Sequence, residues 1–364
     1  MHRCIELARL AGGSVAPNPL VGSVLVHENR IIGEGYHEYY GGPHAEVNCI
    51  HSVGEDDRPL ISASVLYVSL EPCAHFGKTP PCSNLIISNN IKKVVIGCRD
   101  PFIEVNGKGI EKLLAAGIEV ITGVMENECK LLNKRFFTFH MQHRPYIILK
   151  WAQTNNAKIA ASSNERLYIS NEYSYRVVHK WRSEEAAILV GTNTALVDDP
   201  ELTNRYWTGD SPVRMVVDME LKLPSGLKIF NDDKSYTLVF NSKVHEVPES
   251  PIRKHSRGVG FYQVTTDVSL VQQIVHALYH LQIVSVLVEG GAQLLQSFLD
   301  EGLWDETRVI TNRRLNVEDG VAAPVLSNHF LYQENKIMSD EVHYFANKNS
   351  VIPYPHSSDF YSES

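Results

Sequence analysis

Apolar side chains recur along this chain at two spacings, the helical 3.6 and the extended 2, and they alternate from segment to segment. Residues 2 to 11 read as an amphipathic helix, residues 20 to 27 and 31 to 36 as strands around the turn Glu28-Asn29-Arg30, and residues 44 to 53 as a helix. The run Ser64-Val65-Leu66-Tyr67-Val68-Ser69-Leu70 predicts a strand that Pro72-Cys73 ends. From Cys82 to about Asn89 the pattern is helical again, with Pro81 near the start, where a missing N–H costs little. A strand from Lys93 to Gly97, a helix over 109 to 116 and a strand from Ile118 to Thr122 form a strand-helix-strand series, which suggests a parallel portion of a sheet. A helix over 126 to 139 closes this half, and Met141-Gln142-His143-Arg144-Pro145 reads as a linker.

The second half opens with the strand Tyr146-Ile147-Ile148-Leu149-Lys150-Trp151-Ala152. Further strands are expected at 186 to 190, 213 to 218, 236 to 240, 259 to 263, 284 to 289, 306 to 311 and 342 to 346, with helices near 171 to 182, 267 to 280 and 291 to 300. Both halves are therefore α/β, and 364 residues exceed what one core usually serves. The expected division is 1–143, 144–348 and a Ser-, Pro- and Tyr-rich tail over 349–364, expected to be mobile and given no role.

Composition narrows the class. Apolar content of 43% and charged content of 21% fit a globular protein and argue against disorder. No apolar run approaches the ~20 residues of a membrane helix, and charges interrupt the first nine residues where a signal peptide needs an apolar core, so a cytoplasmic protein is expected. The net charge of -8, without a Lys/Arg run, argues against DNA or long RNA as partner, whereas a small phosphorylated molecule needs only a few local cations. All six cysteines precede residue 130, and in a reducing cytosol they are ligands or core residues rather than disulfides.

Chemistry concentrates in His44-Ala45-Glu46, Pro72-Cys73 and Cys82. One imidazole and two thiolates fill three of zinc's four tetrahedral positions and leave the fourth for a water, whose pKa zinc lowers to roughly 7. Glu46, two residues from the histidine, is the candidate acid/base. The H-x-E…P-C…C order is that of zinc nucleobase deaminases, although eight residues separate Cys73 from Cys82 where two are common. The ligands come from two helix starts at one sheet edge, where open α/β sheets bind ligands. Cys4, Cys49, Cys98 and Cys129 lie among apolar residues and read as core. His75 is an alternative fourth ligand, which would close the site and leave Glu46 without a task.

The stretch Glu71-Pro72-Cys73-Ala74-His75-Phe76-Gly77-Lys78-Thr79-Pro80-Pro81-Cys82, with Pro17-Asn18-Pro19-Leu20-Val21-Gly22 upstream, closely resembles the deaminase half of the bifunctional riboflavin-biosynthesis family. That resemblance implies substrate contacts for Asn18, His37 and Lys78. In the second half no G-x-G-x-x-G follows a strand, so a Rossmann site has no support, but Val288-Glu289-Gly290-Gly291 stands at a strand-to-helix junction suited to a phosphate. Val190-Gly191-Thr192-Asn193-Thr194, then Asp198-Asp199-Pro200-Glu201-Leu202-Thr203 and Arg205, resembles the reductase half of the same family. The resemblance implies a cytidine-deaminase-like three-layer domain followed by a dihydrofolate-reductase-like α/β domain that uses NADPH. Carried over by position, Ala152, Tyr168, Thr194, Asp198 and the segment from Gly291 contact the cofactor, and Lys150, Arg166, Arg182, Leu202, Arg205 and Glu289 hold substrate. Arg182 and Arg205 offer planar forks for bidentate phosphate binding, and Lys150, at the end of an apolar strand, needs a partner or water.

Three positions depart from the family. Where Ser-Leu-Asp-Gly-Lys is common, this chain has Thr154-Asn155-Asn156-Ala157-Lys158: Asn156 lacks the carboxylate, and Ala157 is strained by ~1 kcal/mol or more if φ is positive. Tyr168 stands where a tryptophan is common. The expected activity is zinc-dependent deamination of a diaminopyrimidinone ribosyl phosphate, then NADPH-dependent reduction of ribosyl to ribityl, in a homo-oligomer formed through the second domain. The rivals are a deaminase with a degenerate second domain, a tRNA-base deaminase, and a scaffold with structural zinc.

Overall fold

The structure, a computed structural model, describes residues 1–74, 80–162, 167–248 and 252–355. It forms two compact units, Met1–His143 and Arg144–Ser364.

The first unit runs α1 (His2–Arg9), β1 (Gly22–His27), β2 (Arg30–Tyr36), α2 (Ala45–His51), a 3-10 turn (Glu55–Ala63), β3 (Val65–Leu70), α3 (Cys82–Ser88), β4 (Lys93–Cys98), α4 (Lys108–Ala115), β5 (Glu119–Thr122), α5 (Glu126–Leu132) and α6 (Lys134–Gln142). Its strands lie in the order β2-β1-β3-β4-β5; β1 is antiparallel to both neighbours and β3, β4 and β5 are parallel. Glu28 and Asn29 both take left-handed φ, 44° and 64°, the conformation of a tight hairpin turn, so β1 folds straight back into β2.

Alternation along the strands separates two faces. Leu25, Leu66, Val68, Val94 and Ile96 meet Cys49 and Ile50 of α2, Ile86 of α3 and Leu113 of α4 on one face, while Val24 meets Cys4 and Leu7 of α1 on the other, giving three layers. Gly35 fixes how α2 sits: a Cβ there would lie 2.2 Å from Cys49 N and 2.7 Å from Ala45 O. The helix expected over 126–139 is broken at Asn133. Its buried amide accepts from Leu20 N at 2.7 Å and donates to Leu20 O at 2.9 Å, and this tertiary contact prevails where α5 ends and α6 starts.

The second unit runs β6 (Tyr146–Thr154), β7 (Lys158–Ala161), α7 (Glu172–Glu184), β8 (Ala187–Val190), α8 (Thr192–Asp198), β9 (Val213–Val217), α9 (Lys228–Asn231), β10 (Thr237–Asn241), β11 (Val259–Gln263), α10 (Leu270–His280), β12 (Ser285–Val288), α11 (Ala292–Asp300), β13 (Glu306–Asn312), β14 (Gly320–Ala322), β15 (His329–Ile337) and β16 (Asp340–Asn347). Nine strands form one sheet in the order β11-β10-β9-β8-β12-β6-β13-β16-β15, parallel from β11 to β13, with β16 antiparallel to both neighbours. Helices cover both faces of the parallel part, which is why β8, β10 and β12 and the first half of β6 read as apolar runs, with β9 interrupted by the buried, ion-paired Arg214. Seven parallel strands also bring their C-terminal ends to one edge; Gly191 and Glu289 stand there, and Lys150 of the longer β6 lies beside Glu289.

One sequence expectation changes here and another is met. The tail expected to be mobile from Asn349 is packed as far as Tyr354. Ile352 and Tyr354 are buried, and the Tyr354 hydroxyl meets that of Tyr146, which donates to Glu306 at 2.7 Å. The turn from β6 to β7 holds Ala157 at φ 55°, the conformation that favours glycine. Asn156 anchors that turn: its amide donates to Val317 O at 2.8 Å, which a carboxylate cannot do, and its oxygen accepts from Thr154 Oγ1 at 2.7 Å and Val317 N at 3.3 Å.

Candidate active sites

In the first unit β3 delivers Cys73 just past its C-terminal end, α2 begins immediately after His44, and α3 begins at Cys82. His44 Nδ1 lies 3.2 Å from Cys82 Sγ and 3.6 Å from Cys73 Sγ, and the three ligand atoms all fall within 4.8 Å of one another. Zinc bonds of about 2.05 and 2.3 Å at a tetrahedral angle put N and S roughly 3.6 Å apart. The donor set therefore fits a tetrahedral zinc with one position left over. Cys82 N donates to Cys73 Sγ at 3.3 Å, and the Cys82 thiol pulls the Cys73 thiol down toward the thiolate while being itself pushed up.

Glu46, in the first turn of α2, is buried, and burial together with the Cys73 sulfur pushes its carboxyl up to about 6. His37 is a buried residue, and its ring meets that of His44 edge-on at 5.6 Å. Its Nδ1 is 2.9 Å from Pro43 O, a pure acceptor, so Nδ1 carries the proton and Nε2 accepts from Asn18 Nδ2 at 3.1 Å. Asn18, His37, His44, Glu46, Cys73 and Cys82 thus converge; Lys78 and His75 lie outside the described residues.

Glu71 belongs to the motif but its role was not legible. It is buried, and its two oxygens accept N–H groups from Asp100 (3.3 Å), Gly107 (3.0 Å), Gly109 (3.0 Å) and Ile110 (3.3 Å), tying the start of α4 to the residue two before Cys73. Those donors are 29 to 39 residues away, and no local pattern announces them.

In the second unit Arg182 of α7 and Glu289, just after β12, form a buried two-point pair, Nε to Oε1 at 2.9 Å and Nη2 to Oε2 at 2.8 Å, with Lys150 Nζ 3.7 Å from Oε2. Burial opposes the Glu289 charge, but Arg182 and Lys150 outweigh it and hold the carboxyl down to about 2. Arg182 Nη1 also donates to Thr203 O at 3.2 Å. Its fork is thus closed on protein groups, and the open bidentate phosphate site expected of it is not what the structure has. Arg205 keeps a more accessible guanidinium, with Nη1 2.9 Å from Thr203 Oγ1. Leu202, between them in sequence, is buried at φ 53°. Arg166 lies outside the described residues.

Of the residues expected at the cofactor, Thr194 and Gly291 meet directly: Gly291 N donates to Thr194 Oγ1 at 2.8 Å. Gly291 has φ 29°, and a Cβ on Gly290 would come within 3.2 Å of the same hydroxyl, so this junction accepts little but glycine. With the Gly291 N–H engaged, the free N–H groups of the first turn of α11 remain for a phosphate, and the junction fits a phosphate-bearing cofactor. Ala152 is half-buried on β6 beyond Lys150, Asp198 ends α8, and Tyr168 is exposed.

Two family models match the chain. The cytidine and deoxycytidylate deaminase zinc-binding region spans residues 1–98, and the RibD C-terminal domain spans residues 145–312. A riboflavin biosynthesis protein RibD from Aquifex aeolicus is 43% identical over 306 residues, 84% of this chain and 83% of that one. The chain belongs to the RibD family. RibD from Escherichia coli is 32% identical over 84% of either chain. The crystal structure of a diaminohydroxyphosphoribosylaminopyrimidine deaminase/5-amino-6-(5-phosphoribosylamino)uracil reductase from Thermotoga maritima is similar at TM-score 0.84 and 36% identity, covering 95% of this chain and 97% of that one. Acinetobacter baumannii RibD follows at TM-score 0.83 and 31% identity, with the same coverage.

As a RibD, the chain is a bifunctional enzyme of riboflavin biosynthesis acting on a small molecule: a zinc-dependent, cytidine-deaminase-like domain comes first and an NADPH-dependent reductase domain second. The deaminase-only, tRNA-base and zinc-scaffold readings fall away, because the RibD match spans both halves. No helix among the described residues is long and apolar enough to cross a membrane.

Proposed function

We propose that the first unit hydrolytically deaminates 2,5-diamino-6-ribosylamino-4(3H)-pyrimidinone 5′-phosphate with His44, Cys73 and Cys82 as metal ligands and Glu46 as acid/base, and that the second unit reduces the ribosyl group of the product to ribityl. The observation that carries this reading is the convergence of His44 Nδ1 and the two thiol sulfurs beside the buried Glu46. Zinc, when bound, supplies the Lewis acidity that brings a water to a pKa near ~7. Glu46 accepts a proton from the attacking water on its carboxylate and returns it to the departing amine, which leaves as ammonia. Asn18 and the neutral His37 hold the pyrimidine edge, with Lys78 assigned to the substrate by resemblance.

In the second unit NADPH, when bound, supplies the hydride. Thr194, Asp198, Ala152, Tyr168 and the segment from Gly291 are its proposed contacts. Lys150, Arg182 and Glu289 form a rigid charged group for the ribose end, Arg205 and Leu202 complete it, and Arg166 is assigned by resemblance. A net charge of -8 without a basic run supports a small phosphorylated substrate over nucleic acid. A cytoplasmic enzyme, self-associated through the second unit, is the accompanying reading; sedimentation of the pure protein tests the self-association.

The deciding experiment follows product mass from the pyrimidine ribosyl phosphate with and without NADPH. Exchange of an amino group for oxygen without NADPH supports the first assignment, and gain of two hydrogens only with NADPH supports the second. An unchanged mass in both samples overturns the proposal.

A further inference from the structure

His179 stands on α7 one turn before Arg182, fully buried, and has no part in the reaction as described so far. Its Nδ1 accepts the backbone N–H of Arg205 at 2.9 Å. An accepting Nδ1 is unprotonated, so a neutral ring carries its proton on Nε2. Burial, with Arg182 and Arg205 beside it, pushes this imidazole down to about 4 and keeps it neutral. Tyr175 and Tyr206 pack edge-on or nearly so against the ring, at 5.0 and 4.8 Å between centroids.

One helix thus holds the Arg205 segment at two backbone points. Arg182 Nη1 takes Thr203 O, and His179 takes Arg205 N. The segment needs such restraint, because it begins at Leu202 with a left-handed φ of 53°, a conformation costly for a branched side chain. Beyond it, Asn204 Nδ2 closes the loop onto Trp207 O and Gly209 O at 2.9 and 2.8 Å.

We propose that His179 is a positioning residue of the reductase, fixing the backbone of Arg205 so that its guanidinium is preset for the phosphate end of the ribosyl phosphate. The proposal rests on the assignment of Arg205 to the substrate. Removing the acceptor takes away this anchor of the Arg205 backbone and frees the segment, so affinity falls before the hydride step does.

His179→Phe keeps the ring packing and removes the acceptor, whereas His179→Asn keeps an acceptor close to the Nδ1 position. Steady-state reduction of the deaminated ribosyl phosphate by NADPH is measured on the full chain, with deamination and thermal unfolding as controls. His179→Phe raises KM for the sugar phosphate about tenfold, the scale of one hydrogen bond, and moves kcat less than about threefold. His179→Asn recovers most of the loss, and in an Arg205→Ala background His179→Phe raises KM no further. Should the Phe variant fail to fold, His179→Leu is read in the same way. An unchanged KM in His179→Phe, an equal loss in His179→Asn, or full additivity with Arg205→Ala overturns the proposal. If Arg205→Ala alone leaves KM unchanged, the assignment of Arg205 is wrong and the proposal falls with it.

Discussion

Glu289 and Arg182, 107 residues apart in sequence, meet through two parallel hydrogen bonds of 2.8 and 2.9 Å, their side chains only 7% and 8% exposed. Lys150 adds a second cation at 3.7 Å. Glu289→Gln leaves both cations without their counter-charge, so the second unit is expected to lose about 3–5 kcal/mol in thermal or denaturant unfolding and reduction is expected to cease. Deamination in the same sample should persist, because its residues all belong to Met1–His143.

The same pair sets an acid limit. The Glu289 carboxyl is held at about 2 in the folded chain against an ordinary 4.5, so its contribution is fully present above about 4.5 and is lost as pH falls toward 2. Unfolding of the second unit followed between pH 5 and 2 should show stability declining across that window, and the Glu289→Gln variant should show a shallower decline.

Glu46→Gln keeps the size of the side chain and removes its proton-carrying role. Deamination should fall by roughly 10² to 10⁴, with zinc content by atomic absorption and NADPH-dependent reduction of the deaminated substrate both unchanged. Normal turnover would remove Glu46 from the mechanism.

Removal of the metal separates the two activities. Cys82→Ser, or dialysis against a strong chelator, should abolish deamination and leave reduction within about twofold, since the zinc ligands and the Arg182–Glu289 pair belong to different units. Restoring zinc to the dialysed wild-type chain should restore deamination.

At the β6–β7 turn, Ala157→Gly should stabilise the second unit by about 1 kcal/mol, which a thermal scan reads as a rise of roughly 2–4 °C. The gain comes from φ 55°, which glycine adopts without strain; an unchanged or lower transition temperature would contradict it.

How far the sequence revealed these sites depends on what fixes each residue. The zinc ligands were legible because metal chemistry restricts residue type and spacing together, and the parallel strands were legible because burial on both faces leaves runs such as Tyr146–Leu149 wholly apolar. β15 escaped notice because it is an edge strand whose exposed stretch, Gln333 to Lys336, carries polar side chains with no alternation. The break at Asn133, the loop held by Glu71 and the hold of His179 on Arg205 escaped for another reason. Each joins a side chain to the backbone of a remote segment, and backbone groups carry no residue signature. Asn156 looked like damage to a motif, yet its side chain holds the turn in shape, while Ala157 bears the strain that glycine would not.

The strand order of the second unit bears on how the chain is made. β6 is synthesised first but lies between β12 and β13, so it stays without either neighbour while everything from 155 to 284 emerges. A nascent chain carrying an unpaired strand that opens with the apolar run Tyr146–Leu149 for that long is exposed to aggregation. Shortened versions that end before Val288 should therefore accumulate as insoluble protein, and slowing synthesis or lowering temperature should help the full chain more than any change at its surface.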